Sequence, residues 1–193
     1  MGNMIKSFKQ FNEEKTKKVT FAWGRFNPPT VGHAKLIDKV IEISKSGDYK
    51  IFASQSNNPK KDPLEYKEKV GIMRKMFPKY GRNIVLDTGI KTIFDVLVNL
   101  YDAGYTEAVL IAGSDRVDEF KSLLNKYNGV KARHGFYEFD GGVKVVSAGE
   151  RDPDADDVSG MSASKMRAAA VAGDFQAFSN GLPKSFGDKL EVF

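Results

Sequence analysis

Apolar and polar positions follow two different periods along the chain, and their alternation predicts an α/β fold. Short apolar runs are typical of buried parallel strands, and apolar residues spaced three and four apart are typical of amphipathic helices. The pattern predicts strands at residues 19–23, 51–54, 84–87 and 108–112, and helices at residues 32–44, 64–77, 93–101 and 117–127. Strands that alternate with helices in this way are joined by right-handed crossovers, so a parallel sheet is expected.

Beyond residue 127 the regular alternation ends. Residues 136–146 contain two β-like pieces around a turn, which leaves two interpretations open: a hairpin, or one strand with an irregular lead-in. A last helix is predicted from Ser162 to Gly173. The apolar residues expected to anchor the tail that follows it are Phe175, Phe178, Leu182 and Phe186.

The domain organisation predicted from the sequence is an arm followed by one domain. Residues 1–18 are polar and rich in lysine, with Ile5, Phe8 and Phe11 at helical spacing, and predict an N-terminal arm. Residues 19–193 are expected to form one domain that includes the C-terminal helical tail. The acidic, proline-broken residues 149–159 predict a loop that orders when a ligand binds.

The first candidate site lies between the first predicted strand and the first predicted helix. Residues 24–33 read Gly-Arg-Phe-Asn-Pro-Pro-Thr-Val-Gly-His. Glycine lets the backbone approach a ligand, proline fixes the loop, and the N-terminus of a helix offers N–H groups and a positive dipole end. Thr30 and His33 lie on either side of Gly32, so a hydroxyl and an imidazole can bind oxygens of one polyphosphate. The segment predicts a phosphate-binding loop.

A second candidate site lies at the start of the last predicted helix. Residues 161–167 read Met-Ser-Ala-Ser-Lys-Met-Arg. Ser162 or Ser164 can cap the helix, and Arg167, three residues after Ser164, points from the first turn toward an anion held there. Capping and anion binding use the same end of a helix, so one serine can serve both purposes.

Together the two segments resemble the paired signatures of the nucleotidylyltransferase superfamily, (H/T)xGH and ISSTxxR. Ala163 and Ser164 depart from the second signature, which has serine and threonine there. Residues 111–115, Ile-Ala-Gly-Ser-Asp, are similar to the Gly-x-Asp element of nicotinamide-mononucleotide adenylyltransferases, and residues 63–70 resemble the family's helix after strand two. The resemblance covers residues 19–180 and implies a Rossmann-like, doubly wound and mainly parallel sheet with flanking helices.

The resemblance also implies a reaction and roles for particular residues. In the family, a substrate phosphate attacks the α-phosphate of ATP or CTP and pyrophosphate leaves, with Mg²⁺ present. His33 and Thr30 would contact the phosphates, His33 would stabilise the transition state, and Arg167 would hold the β- and γ-phosphates. The residues expected to bind the nucleotide are Gly24, Arg25, Phe26, Asn27, Gly32, Ser162, Ser164 and Asp115. The sequence identifies no metal ligands.

Several polar residues outside the two signatures have competing interpretations. Asp115 would bind nucleoside or metal, or it would cap the next helix. Lys60 and Lys61, after the second predicted strand, would either reach a phosphate or remain in solvent. Thr88, Thr92 and Asp95 would line the substrate half of the crevice, unless Thr92 caps a helix.

Composition narrows the class of partner. The chain has 193 residues, a net charge of +5 and no cysteine. Its basic residues are scattered rather than interleaved with aromatics in a dense patch, so no nucleic-acid partner is expected. The lack of cysteine excludes disulfides and thiolate chemistry and favours a cytoplasmic location, and no apolar stretch is long enough to span a membrane. The expected partners are ATP and a small phosphorylated substrate, and a homo-oligomer is left open.

The sequence leaves the substrates open to three hypotheses. AMP transfer from ATP to nicotinamide mononucleotide is preferred, since cytidylyltransferases show Asp at the position of Asn27 and an Arg-Tyr-Val-Asp-like element that is not found here. Cytidylyl transfer, or adenylyl transfer to phosphopantetheine or a flavin precursor, is the second hypothesis. The third is a non-catalytic nucleotide-binding or structural protein. Residues 4–13 resemble leader peptides of internal head proteins in T4-like phages, which implies a phage enzyme in the host cytoplasm or a component of the phage particle.

Overall fold

A parallel sheet forms the centre of the protein. The computed structural model describes residues 16–149, 162–184 and 186. The strands are β1 (Lys18–Gly24), β2 (Asp48–Ala53), β3 (Ile84–Val85), β4 (Glu107–Ala112) and β5 (Val143–Ser147). The helices are α1 (Gly32–Ser44), α2 (Tyr66–Met76), α3 (Ile93–Asp102), α4 (Val117–Lys126), α5 (Ala163–Ala172) and α6 (Phe175–Ser179), with short 3₁₀ turns at Pro78–Tyr80 and Ser114–Arg116.

The strand order places a topological switch point in the middle of the sheet. The order is β3-β2-β1-β4-β5, and every neighbouring pair is parallel. The chain moves outward from β1 to β3, then returns to the other side of β1 with β4 and β5. In such sheets the crevice for ligands opens at the carboxyl ends of the strands, next to the switch point. The predicted Rossmann-like α/β fold is confirmed.

The core explains why the central strands read as continuous apolar runs. Residues 19–22 of β1 and residues 108–112 of β4 are buried, because helices cover both faces of the sheet. α1 contributes Ile37 and Val40 to this core, three residues apart on one face. Carbon surface buried in this way is the main favourable contribution to folding.

The structure corrects several predicted boundaries. β2 begins at Asp48 rather than at residue 51, because Asp48, Tyr49 and Lys50 pair with β1 through backbone bonds that do not depend on apolar side chains. β3 is shorter than predicted and comprises only Ile84 and Val85. α2 spans Tyr66–Met76 instead of residues 64–77.

The chain after β4 resolves one open alternative and overturns one prediction. Residues 143–147 form one strand parallel to β4 after an irregular lead-in, so the hairpin interpretation is wrong. Leu182 and Phe186 are buried as predicted, and Phe178 packs against the core. Phe175, however, is 61% exposed. It occupies the first turn of α6, beside the Asp174 cap, on a side that does not face the core.

Two predictions concern parts of the chain outside the described residues. The N-terminal arm lies almost wholly there, as does most of the loop at residues 149–159. Within the described ranges, no helix combines the length and the apolar character needed to cross a membrane.

Candidate functional site

A cavity of about 300 Å³ opens at the carboxyl edge of the sheet. Its walls come from the segments that follow β1, β2, β4 and β5 and from the starts of α1 and α5, as the switch point predicts. The lining residues are Arg25, Phe26, Asn27, Thr30, Gly32, His33, Lys35, Leu36, Asp62, Gly113, Ala148, Gly149, Ser162, Ala163, Ser164 and Arg167. The two segments singled out by the sequence therefore meet in one cavity.

The N-termini of α1 and α5 both contribute to the lining of this cavity. Among the described residues no side chain caps α1, and the Val31 N–H before it donates to the Gly181 carbonyl at 2.8 Å. Ser162 caps α5 as predicted, since its Oγ accepts from the Lys165 N–H at 2.9 Å. Each helix brings the positive end of its dipole to the cavity, and two such ends favour an anion between them.

The hydrogen bonds of Thr30 define the tautomer of His33. The Thr30 N–H donates to His33 Nδ1 at 2.9 Å, and Thr30 Oγ1 lies 3.1 Å from the same nitrogen. A backbone N–H can only donate, so Nδ1 accepts and the ring proton is assigned to Nε2. The neutral imidazole therefore has its N–H on the side of the ring away from Thr30, and this N–H can stabilise an anionic oxygen.

The Phe26 ring supports the imidazole from one side. Phe26 is 1% exposed, and its ring centre lies 4.7 Å from that of His33 at an angle of 50°. The backbone at Phe26 has a φ of +47°, which a bulky residue adopts only where burial and packing hold it there. Gly24 leaves room for this ring, because a Cβ at Gly24 would lie 2.9 Å from Phe26 Cε2. Gly24 thus shapes the site although it lies outside the described lining.

Arg167 joins the two motifs. Its Nη1 donates to the Asn27 carbonyl at 2.6 Å, and its Nη2 donates to Ser164 Oγ at 3.0 Å. The Asn27 side chain in turn forms two bonds with the backbone of Leu64, one from Asn27 Nδ2 to the carbonyl and one from the Leu64 N–H to Oδ1, each 3.0 Å long. Asn27 therefore positions the loop, and its amide is already used in this way.

Sequence reasoning missed two charged residues near the cavity. Asp62 lines it and is 8% exposed. Lys69, on α2, is fully buried and donates from Nζ to the Ser54 carbonyl at 2.6 Å. Burial lowers the pKa of Lys69 to about 8, although the negative charge of Asp62 acts in the opposite direction. The signal in the sequence was the helical spacing of Lys69 with Met73 and Met76, which places this lysine on the buried face.

Other predicted residues lie outside the described lining. Asp115 is exposed, and its side chain folds over Gly113, where an added Cβ would lie 2.7 Å from Asp115 Oδ1. The start of α4 has no side-chain cap from the described residues, so the capping interpretation of Asp115 is wrong. Lys60 and Lys61 are both exposed and away from the described lining.

Thr92 serves as a helix cap, which was the alternative to a place in the crevice. Its Oγ1 accepts from the Asp95 N–H at 3.2 Å, and Asp95 Oδ2 accepts from the Thr92 N–H at 2.7 Å. These reciprocal bonds form a capping box at the start of α3. Both side chains therefore stabilise the helix.

Comparisons with known proteins identify the family and support the fold. A family model described as cytidylyltransferase-like matches residues 21–169. A putative nicotinate-nucleotide adenylyltransferase from Vibrio parahaemolyticus has a similar structure, with a TM-score of 0.58, 14% identity, and coverage of 91% of this chain and 99% of the other. The nicotinic acid mononucleotide adenylyltransferase of Plasmodium falciparum, complexed with NaAD, is also similar, with a TM-score of 0.54 and 13% identity. The similarity covers 85% of this chain and 94% of the other.

A third solved structure is similar over a smaller share of its own chain. The bifunctional NMN adenylyltransferase/ADP ribose pyrophosphatase from Francisella tularensis has a TM-score of 0.53 and 13% identity, with 81% of this chain and 43% of that chain covered. At these identities the solved structures support the fold. A comparison with curated proteins found no match.

Proposed function

The chain belongs to the cytidylyltransferase-like family of nucleotidyltransferases, and we propose that it transfers AMP from ATP to a phosphorylated acceptor with release of pyrophosphate. Nicotinamide mononucleotide is the preferred acceptor. This choice is supported by the Gly-Arg-Phe-Asn-Pro-Pro segment together with Gly-Ser-Asp, and by the solved relatives, whose names describe nicotinate or nicotinamide mononucleotide adenylyltransferases.

The observation that carries the proposal is the meeting of two helix N-termini and three phosphate-binding groups in one cavity. Thr30, His33 and Arg167 all line it, although Arg167 is separated from the first motif by more than a hundred residues. Helix N-termini, an imidazole N–H and a guanidinium together suit a polyphosphate. A cavity of about 300 Å³ is at the lower end of the usual size for small-ligand sites.

The reaction needs positioning and charge stabilisation rather than a nucleophilic side chain. A phosphate oxygen of the acceptor attacks the α-phosphorus of ATP, a new P–O bond forms, and the bond between the α-phosphorus and the β-phosphate bridging oxygen breaks. His33 donates from Nε2 to an oxygen of the α-phosphate as charge grows on it. Arg167 neutralises the departing pyrophosphate, and it is already oriented by Ser164 and the Asn27 carbonyl.

Magnesium fits this site as a companion of the triphosphate. The described residues contain no group of three or more His, Cys, Asp or Glu side chains that could hold a metal by themselves. Mg²⁺ is commonly bound by one or two carboxylates together with substrate phosphates, and among the described residues that line the cavity Asp62 provides one carboxylate. When bound, the ion would neutralise charge on the phosphates during transfer.

The test is a measurement of pyrophosphate release with defined substrates. Purified protein is incubated with ATP or CTP, each with nicotinamide mononucleotide, nicotinic acid mononucleotide, phosphopantetheine or flavin mononucleotide, in Mg²⁺ and in EDTA. We expect release with ATP and a pyridine mononucleotide in Mg²⁺ only. Equal or faster release with CTP would overturn the assignment of ATP. No release with any pair would favour a non-catalytic nucleotide-binding protein.

A further inference from the structure

The Asp62 carboxylate is an unexpected charge in this cavity. It is 8% exposed and lines the wall, yet it accepts no hydrogen bond from any residue in the described part of the chain. Among the described residues, the fully buried side-chain atoms without a partner are Thr20 Oγ1 and His134 Nε2, so the Asp62 oxygens reach the open space of the cavity. The carboxylate therefore has capacity for a ligand that the chain itself does not supply.

A phosphate group bound in this cavity without a metal ion would be repelled by the Asp62 carboxylate. The other ionisable side chains of the lining can bind phosphates, whereas a carboxylate repels phosphates. These side chains are Arg25, His33, Lys35 and Arg167. A divalent cation resolves this conflict, because it is attracted by the phosphates and by the carboxylate at the same time. One carboxylate plus phosphate oxygens is a common way for proteins to bind Mg²⁺.

The backbone on both sides of Asp62 is fixed. The Asp62 N–H donates to the Asn58 carbonyl at 2.7 Å, and the Asn58 N–H donates to the Asp62 carbonyl at 2.9 Å. Two residues later, Leu64 is held by the Asn27 side chain of the first motif. The loop that carries the carboxylate is thus tied to the loop that carries the phosphate-binding groups. A ligand held between them needs this kind of preorganised support.

We propose that Asp62 is the carboxylate that binds the Mg²⁺ accompanying the triphosphate. The inference rests on the proposed triphosphate site and adds a protein ligand for its metal ion. Lys60 and Lys61, which the sequence suggested as phosphate contacts, are exposed. Their neighbour Asp62 is buried and lines the cavity. Lys69 interacts electrostatically with Asp62, but its Nζ donates to the Ser54 carbonyl and leaves the carboxylate oxygens for another ligand.

The test compares ATP binding with and without the metal. The dissociation constant of ATP is measured by calorimetry without acceptor, in Mg²⁺ and in EDTA, for the wild type, Asp62→Asn and Asp102→Asn. Asp102 is an exposed carboxylate at the end of α3, outside the described lining, so its variant controls for the change in net charge. Asparagine keeps the shape of Asp62 and its backbone bonds.

The proposal predicts that Asp62→Asn weakens ATP binding only when Mg²⁺ is present. In Mg²⁺, Asp62→Asn should weaken ATP binding by about tenfold or more, at least the effect of losing an outer partner at a metal site. In EDTA the same variant should bind ATP as well as the wild type or more tightly, because a repulsive charge is gone. Asp102→Asn should match the wild type in both.

Other outcomes overturn the inference in distinguishable ways. Equal weakening of ATP binding in Mg²⁺ and in EDTA would mean that Asp62 has a structural role or binds the nucleotide directly. An unchanged affinity in both would exclude any contact with the metal. If the wild type itself does not bind ATP, the proposed function fails and the metal site fails with it.

Discussion

The chain has two histidines, one in a polar cavity and one in a layer of aromatic side chains. His33 lines the cavity, with Nδ1 bonded to the Thr30 N–H and the ring against one aromatic side chain. His134 packs in an aromatic layer, which we define as Phe94, Tyr127, His134, Tyr137 and Phe139. His134 Nε2 is buried, and it has no hydrogen-bond partner within the described residues.

The difference between the two regions indicates what each contributes. In the aromatic layer, the His134 ring stacks on Phe94 at 4.3 Å and meets Tyr127 edge to face at 5.2 Å, so ring contacts rather than hydrogen bonds to Nε2 hold it there. In the cavity, the polar groups bond to one another along one side and line an open space on the other. We expect changes in the cavity to alter binding and rate, and changes in the aromatic layer to alter stability.

The largest expected effect is that of His33→Ala on turnover. If the Nε2 N–H stabilises charge that grows in the transition state, kcat should fall by about two to three orders of magnitude, or roughly 2.7–4 kcal/mol, with a much smaller change in ATP affinity. Steady-state kinetics and melting temperature are measured on the same preparation. A folded variant with a kcat close to that of the wild type would show that His33 is only a packing residue.

His134→Ala is the matched control and should give the reverse result. Loss of its ring contacts should lower the free energy of unfolding by about 1–3 kcal/mol, partly offset because a buried, unpartnered nitrogen is removed. Its kcat per folded molecule should equal that of the wild type. Denaturant unfolding and kinetics measure the two quantities, and a large fall in kcat with unchanged stability would contradict the division between the regions.

Tyr137 is expected to make a smaller contribution to the free energy of unfolding, and this contribution should depend on pH. Tyr137 is fully buried and donates to the Leu124 carbonyl at 2.6 Å. Burial raises its pKa to about 12, with a smaller contribution from Tyr127. Since the unfolded chain loses this proton near pH 10 and the folded protein keeps it to about pH 12, the stabilisation is complete below pH 10 and is lost as the pH rises to 12.

Tyr137→Phe isolates this contribution. At pH 8 the variant should be less stable than the wild type by about 1 kcal/mol, because the Leu124 carbonyl loses its donor. The difference should shrink between pH 10 and pH 12. Burial and the bond to Asp48 also raise the pKa of Tyr105 to about 12. Tyr105 is present in both proteins, so its pH-dependent contribution cancels in the stability difference. A constant difference across this range in urea unfolding experiments would argue against a buried neutral phenol.

The fold was largely predictable because its signals are local. The apolar run of β1, the turn-rich segment after it and the helical spacing of α1 are all contained in residues 18–44, and the predicted bounds of α1 match the structure. Likewise Ser162 as a cap and Gly173, with its φ of +68°, as the end of α5 follow from short-range chemistry.

The parts that could not be predicted depend on contacts distant in sequence. Asn27 was expected to bind nucleotide, but its side chain bonds to Leu64, and no local pattern indicates such a pair. The same holds for Asp62, whose burial arises only when the loop after β2 folds over the first motif. Lys69 shares a helical face with Met73 and Met76, but a lysine on a buried face is rare without a partner, so this spacing alone did not single it out.

The central claim is that the cavity between α1 and α5 binds a nucleoside triphosphate, and Arg167 provides its most direct test. ATP binding in Mg²⁺ is measured by calorimetry for the wild type, Arg167→Ala and Arg116→Ala, the last removing an exposed cation away from the described lining. We predict that Arg167→Ala raises the dissociation constant about 10- to 100-fold, because hydrogen bonds to charged groups contribute about 1.5–3 kcal/mol, and that Arg116→Ala has no effect. Equal affinity of all three proteins for ATP would contradict the claim.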